Sequence, residues 1–143
     1  MMFNNSKVYK KCPSVTQLQE SECGPACLSM VLGYYGKYLS LYDLSEQCGV
    51  TRDGSKVLTL IKVAESYGLE LQPKRLRLKT IKQKENIPCI AYWEYSHWIV
   101  IEGYDEKGYY INDPATGRRY DSDAQFEEGY SNIGPIHRVQ LYD

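Results

Sequence analysis

Apolar residues in the first seventy positions recur at helical spacing, whereas those of the second half alternate with polar neighbours over short runs. The densest helical stretch is QLQESECGPACLSMVLGYYG, from Gln17 to Gly36. Pro25 suits the first turn of a helix, where its missing N–H would be unpaired anyway, so a helix is predicted to begin at or beside Cys23. Cys27, Met30, Val31 and Tyr34 then share one face, and Gly36 supplies a residue able to close the helix in a left-handed conformation. Ser40, with Asp43 three residues later, marks a second start, and Leu41, Leu44 and Cys48 carry that short helix toward Gly49. After a turn-rich segment from Thr51 to Gly54, a third helix is predicted from about Ser55 to Tyr67. Its apolar stripe is Val57, Leu60, Ile61 and Ala64, and Gly68 ends it.

Beyond Gly68 the period changes. Leu69 and Leu71 alternate with polar residues, Pro73 breaks the run, and Leu76 and Leu78 alternate with Arg75, Arg77 and Lys79, which predicts short strands. Cys89–Trp93 and Trp98–Tyr104 are β-rich and separated by a short loop. Asp105–Gly108 forms a turn into Tyr109–Asn112, giving an antiparallel meander. Arg118–Tyr120 and Arg138–Leu141 read as further strands, with a short helix between them that starts near Ser122 and carries Phe126. Helices first and sheet second argue an α+β fold.

A chain of 143 residues with 43% hydrophobic content fits a single domain spanning 1–143. Seventeen basic against eighteen acidic residues leave a net charge of −1 and no basic run, so the footprint of a nucleic-acid binder is absent. There is no phosphate-binding GxxxxGK[ST] loop, no HExxH zinc pair and no stretch of eighteen apolar residues. Five scattered cysteines without a CxxC pair suit free thiols in a reducing compartment.

The chemistry then concentrates on Cys23. A thiol at a helix N-terminus faces the positive end of the helix dipole, a setting that favours a nucleophile, although a small buried hydrophobe is the plainer role for a cysteine. Cys27, one turn further in, fits packing. The chain has two histidines. His97 opens a strand and can present its ring at a sheet end with Ile99 and Ile101 on the same face, whereas His137 has no carboxylate in its local pattern. An orienting acceptor for His97 is predicted in Asp113 at the end of the next strand, with Asp105 and Asp121 as rivals better explained by a turn and a helix cap. The Cys23 N–H and the side chain of Gln17, with Gln19 as its competitor, are candidate oxyanion donors. A metal site on Cys23, Cys27 and His97 lacks a matching second pair.

The run QxxxxxCGPACLSMVLGYYG from Gln17, followed by SHW around His97 and NDP around Asp113, resembles the cysteine peptidase domain of bacteriocin-processing ABC transporters, a papain-like family. The resemblance covers about Cys12 to Leu141 and leaves 1–11 as an N-terminal extension. It implies a helical half packed on an antiparallel sheet, and cleavage of precursor peptides after a double-glycine-type motif. Leaders would thereby be removed from bacteriocins, lanthipeptides or quorum-sensing peptides before export, without a cofactor. Carried across, Cys23 is the nucleophile, His97 the general base and acid, Asp113 its orienting partner and Gln17 an oxyanion donor. The partner implied is a precursor whose amphipathic leader helix docks on an apolar surface. Val57, Leu58 and Ile61 are candidates for that surface, although their spacing equally suits core, and Trp98 is a candidate wall for a narrow groove. Full transporters add transmembrane and nucleotide-binding domains, so a chain ending at Asp143 reads as an excised domain or a stand-alone relative. Its expected place is cytoplasmic, on the cytosolic face of the membrane if it belongs to a transporter.

Overall fold

The computed structural model describes residues 7–50, 56–94, 96–130 and 136–141. A short strand β1 (Val8–Tyr9) comes first, followed by a 3₁₀ turn at Glu20–Glu22 and three helices, α1 (Cys23–Tyr34), α2 (Leu41–Gln47) and α3 (Val57–Ser66). Then come β2 (Leu69–Lys74), α4 (Leu78–Ile81), a second 3₁₀ turn at Lys84–Asn86, β3 (Cys89–Trp93) and β4 (His97–Tyr104). The chain continues through β5 (Gly108–Asp113), β6 (Gly117–Ser122), α5 (Asp123–Gly129) and β7 (Ile136–Leu141). Every pairing is antiparallel, in the order β2-β7-β3-β4-β5-β6. The fold is α+β, as the order of patterns predicts.

The period-2 rule of a strand divides the sheet between two cores. Ile90 of β3 with Trp98 and Val100 of β4 join Leu28, Met30, Leu32, Leu44 and Leu60 of the helices. Cys89 and Ala91 with Ile99 and Ile101 face the other way, toward Ile111, Tyr109 and Phe126 of α5. Phe126 is fully buried and stacks on Tyr109 at 3.9 Å, so its ring alone supplies about 2–3 kcal/mol of burial. Helix α1 is buried from Cys23 through Gly33, not along one stripe, because α2 and α3 cover the side that the sheet does not. Ser40 caps α2 by accepting the Asp43 N–H at 3.1 Å, and Ser122 caps α5 in a capping box with Gln125.

Two expectations change. The residues Arg75–Arg77 form no strand, and Leu78 opens α4, which buries Ile81 completely while Leu76 and Leu78 pack half-buried on the second core. A three-residue helical spacing from Leu78 to Ile81 meets that core as well as alternation would. Pro73 does not break β2, because β2 is an edge strand paired only with β7, where a missing N–H can face outward. Ahead of the stretch that resembles the family, Val8 and Tyr9 pair with Tyr104 and Gly103 of β4. The predicted turn at Thr51–Gly54 and the helix start at Ser55 lie outside the described residues; α3 is described from Val57.

The N-terminal segment is strapped down by Glu102, which is wholly buried beside a bulge in β4. Its carboxylate accepts the Cys12 N–H at 2.7 Å, Asn112 Nδ2 at 3.2 Å and Arg118 Nε at 3.0 Å, and Arg118 also donates to the Cys12 carbonyl. A buried charge needs such saturation to be tolerable. The strap also lies close to Gly103, where an added Cβ would stand 2.1 Å from the Val8 carbonyl oxygen. Gly103→Ala is therefore expected to push β1 away and to lower unfolding free energy by about 1–3 kcal/mol in denaturant titration. Wild-type stability in that variant would show that β1 does not press on β4.

Candidate active site

The tight loop before α1 is shaped by Glu22. Its Oε1 accepts the N–H groups of Leu18 and Gln19, each at 2.9 Å, and its Oε2 accepts Ser45 Oγ at 3.2 Å. The chain thus turns sharply into the helix, and Cys23 becomes its first residue, 6% exposed. Gln17 is tied beside the end of β5, its N–H donating to the Pro114 carbonyl at 2.9 Å. Its side-chain Nε2 donates to the Gln19 carbonyl at 3.0 Å, and its Oε1 is buried without a partner among the described residues.

His97 opens β4, and its Nε2 lies 2.7 Å from Asp113 Oδ1. With Nε2 so engaged, Nδ1 is the nitrogen left for the thiol of Cys23, whose interaction with the ring helps to keep it charged. Burial works against the charged imidazolium, but the hydrogen bonds to Asp113 and Cys23 and the charges of both outweigh it and push His97 up to about 9. Burial would likewise raise the Asp113 carboxyl. Hydrogen bonds from His97, Arg119 and the Ala115 N–H instead hold it well below the usual carboxylate range. The arrangement holds the imidazole protonated between the Asp113 carboxylate and the sulfur of Cys23.

Among the sequence candidates, Cys23, His97 and Asp113 are brought together, with Gln17 alongside. Asp105 is elsewhere, in the β4–β5 turn, where it accepts from Lys107, Gly108 and Tyr120. Asp121 sits in β6 and accepts from Arg119 at 3.1 Å; the cap of α5 is Ser122 and not Asp121. Gln19 serves the Glu22 capping box. The backbone of His137 lies within β7, opposite Ile90. All five cysteines are free, and burial drives the thiol values of Cys12, Cys27 and Cys48 upward and that of Cys89 to about 12. Cys27 is therefore a packing residue. Among the described residues no cluster of histidine, cysteine and carboxylate is arranged to hold a metal. Trp98 is 6% exposed and packs on Tyr92 with ring centroids 4.7 Å apart, within the same core cluster as Cys23. Val57 and Ile61 are half-buried against the same core, while Leu58 is exposed.

Sequence reasoning missed Arg119, which donates from Nη1 to Asp113 Oδ2 at 2.8 Å. The three-residue loop between β5 and β6, closed by Gly117 at φ 96°, was the available signal. It sets Asp113 opposite Gly117 and brings Arg119 onto the same face, one diagonal away.

Residues 11–134 match the model of the Peptidase C39 family. A probable microcin-H47 secretion/processing ATP-binding protein of Escherichia coli is 32% identical over 111 residues, covering 78% of this chain and 16% of that protein. The colicin V secretion/processing ATP-binding protein of the same species is 28% identical over 124 residues, covering 87% and 18%. The chain thus spans about a sixth of the length of these relatives. Among solved structures, a double glycine motif protease from an AMS/PCAT transporter, in complex with the leader peptide, is 36% identical with a TM-score of 0.87, covering 93% of this chain and 94% of that one. The peptidase domain of Streptococcus ComA shares the fold at a TM-score of 0.82 and 21% identity, over 94% of this chain and 100% of that chain. With a free thiol at the head of a buried helix, a histidine against it and a family match over most of the sequence, the chain belongs to the Peptidase C39 family and is a cysteine peptidase.

Proposed function

We propose that this chain removes leader peptides from bacteriocin- or lanthipeptide-type precursors by cutting after a double-glycine-type motif, with Cys23, His97 and Asp113 as its catalytic triad. The observation that carries the reading is the contact of His97 with both Asp113 and Cys23 at the head of α1. The likeness to a double glycine motif protease captured with its leader peptide supports the substrate class.

In this mechanism the Cys23 thiolate attacks the carbonyl carbon of the second glycine, forming a C–S bond while the carbonyl π electrons move to oxygen. The oxyanion is met by the Cys23 N–H and by Gln17 Nε2, which carries two hydrogens and has one engaged by the Gln19 carbonyl. Collapse expels the amine of the mature peptide, which takes its proton from His97. Water, deprotonated by the now neutral imidazole, then attacks the leader thioester, and the C–S bond breaks to release the leader and restore the Cys23 thiolate beside protonated His97. The unpaired Oε1 of Gln17 is an acceptor that an incoming peptide N–H would satisfy. Small residues at the cut fit a nucleophile only 6% exposed. The leader helix would dock on an apolar surface, and in a longer protein transmembrane and nucleotide-binding domains would place this unit on the cytosolic face of the membrane; among the described residues no helix is long and apolar enough to cross one.

Cys23→Ala is expected to abolish cleavage of a double-glycine precursor while leader binding persists, and Gln17→Ala to lower kcat by roughly 10²–10³-fold. Mass spectrometry of the products decides. Turnover in the first variant removes Cys23 from its role, and an intact precursor that stays bound to the wild type indicates a binding module instead.

The value of His97 fixes the direction of the pH dependence. Its folded-state value of about 9 lies above the ordinary histidine value of 6.5, so stability contributed by its protonation is complete below 6.5 and is lost as pH rises through about 9. Denaturant titration at pH 6 and pH 10 should show wild type losing on the order of 3 kcal/mol relative to His97→Gln. Cleavage should fade over the same alkaline limb, and a flat difference between the two proteins would rule out the charged pair.

A further inference from the structure

The carboxylate that orients His97 is itself held from behind. Asp113 Oδ1 takes His97 and the Ala115 N–H, at 2.7 and 2.8 Å, while Oδ2 receives Arg119 Nη1 at 2.8 Å. Arg119 is fixed in turn on two other sides. Its Nε donates to Asp121 at 3.1 and 3.3 Å, and its guanidinium lies 5.3 Å from the centre of the Trp93 ring. The β5–β6 register explains the convergence, because Arg119 is opposite Ile111 and Asp121 opposite Tyr109, which puts both on the Asp113 face of the hairpin. Trp93 is buttressed by Phe126 at 5.2 Å and by Gly129, where a Cβ would stand 2.0 Å from the ring. The side chain of Arg119 is 30% exposed and its hydrogen bonds go to Asp113, Asp121 and Thr116, so any effect on the thiol passes through the carboxylate.

We propose that Arg119 is a positioning residue of the peptidase site, clamping the Asp113 carboxylate against Asp121 and Trp93 so that its other oxygen keeps the His97 ring aimed at Cys23. The proposal rests on the triad assigned above. Two properties follow from guanidinium chemistry. One planar fork with separate Nε and Nη1 donors bridges two carboxylates, which a lysine ammonium cannot do with the same geometry. Its positive charge also offsets part of the Asp113 charge, so removing it leaves the imidazolium facing a less compensated carboxylate.

The test uses the full chain with isotope-labelled histidine, since two histidines give two assignable titrations. Wild type, Arg119→Met and Arg119→Lys are compared by NMR titration of His97 and by kcat and KM on a double-glycine precursor. In Arg119→Met the His97 midpoint should rise by about half a unit or more, and kcat should fall roughly tenfold or more with KM within about twofold. Arg119→Lys, which keeps the charge, should bring the midpoint back toward wild type and recover part of kcat. If Arg119→Met does not fold by circular dichroism, Arg119→Lys decides through a lowered kcat at unchanged KM. Wild-type midpoint and kcat in the folded variants overturn the proposal, as does an activity loss that merely tracks the unfolded fraction. If the wild type cuts no double-glycine precursor while the His97 midpoint still responds to Arg119→Met, the substrate reading fails and the clamp stands.

Discussion

Helix α1 is enclosed on all sides, and most of the molecule follows from that constraint. A helix buried from Cys23 to Gly33 has no solvent face on which to roll, so its first residue is held in one place by packing with α2, α3 and the sheet. The residues that close around it must leave room: Gly33 sits where a Cβ would come within 2.7 Å of Pro13, on the strap that leads to Gln17. Packing energy spent deep in the core thus appears at the helix head as positional precision for a thiol.

The sheet extends that precision to the other partners. Adjacent arginines on β6 point to opposite faces and serve different halves of the site. Arg118 pairs with buried Glu102 and fastens the N-terminal strap, while Arg119 pairs with Asp113. The buried Glu102 charge brings little net stability by itself, since desolvation offsets its ion pair. Its effect is to fix where the strap runs, and hence where Gln17 meets Pro114.

The helical half and the meander were legible because their signals were local: Pro25 and Ser40 at helix starts, alternation in β3 and β4, the turn at Asp105. The α4 segment was not, since four residues carry too little periodicity to separate a turn of helix from a strand, and Leu78 is half-buried in either. Pro73 misled because nothing local announces an edge strand. At the site, Cys23, His97 and Asp113 were readable as residue types at element ends, whereas Glu102 and Arg119 act through contacts fixed by a bulge and by register. Glu102 lies ninety residues from the Cys12 N–H it receives, a separation that no local pattern reports.

The central claim is that one thiol of five is set apart by its place beside His97, and stoichiometric alkylation tests it most directly. One equivalent of iodoacetamide at neutral pH, followed by peptide mapping, should label Cys23 alone and remove peptidase activity in step with the label. Label spread over Cys12, Cys27, Cys48 or Cys89, or activity that survives full labelling of Cys23, would contradict the account.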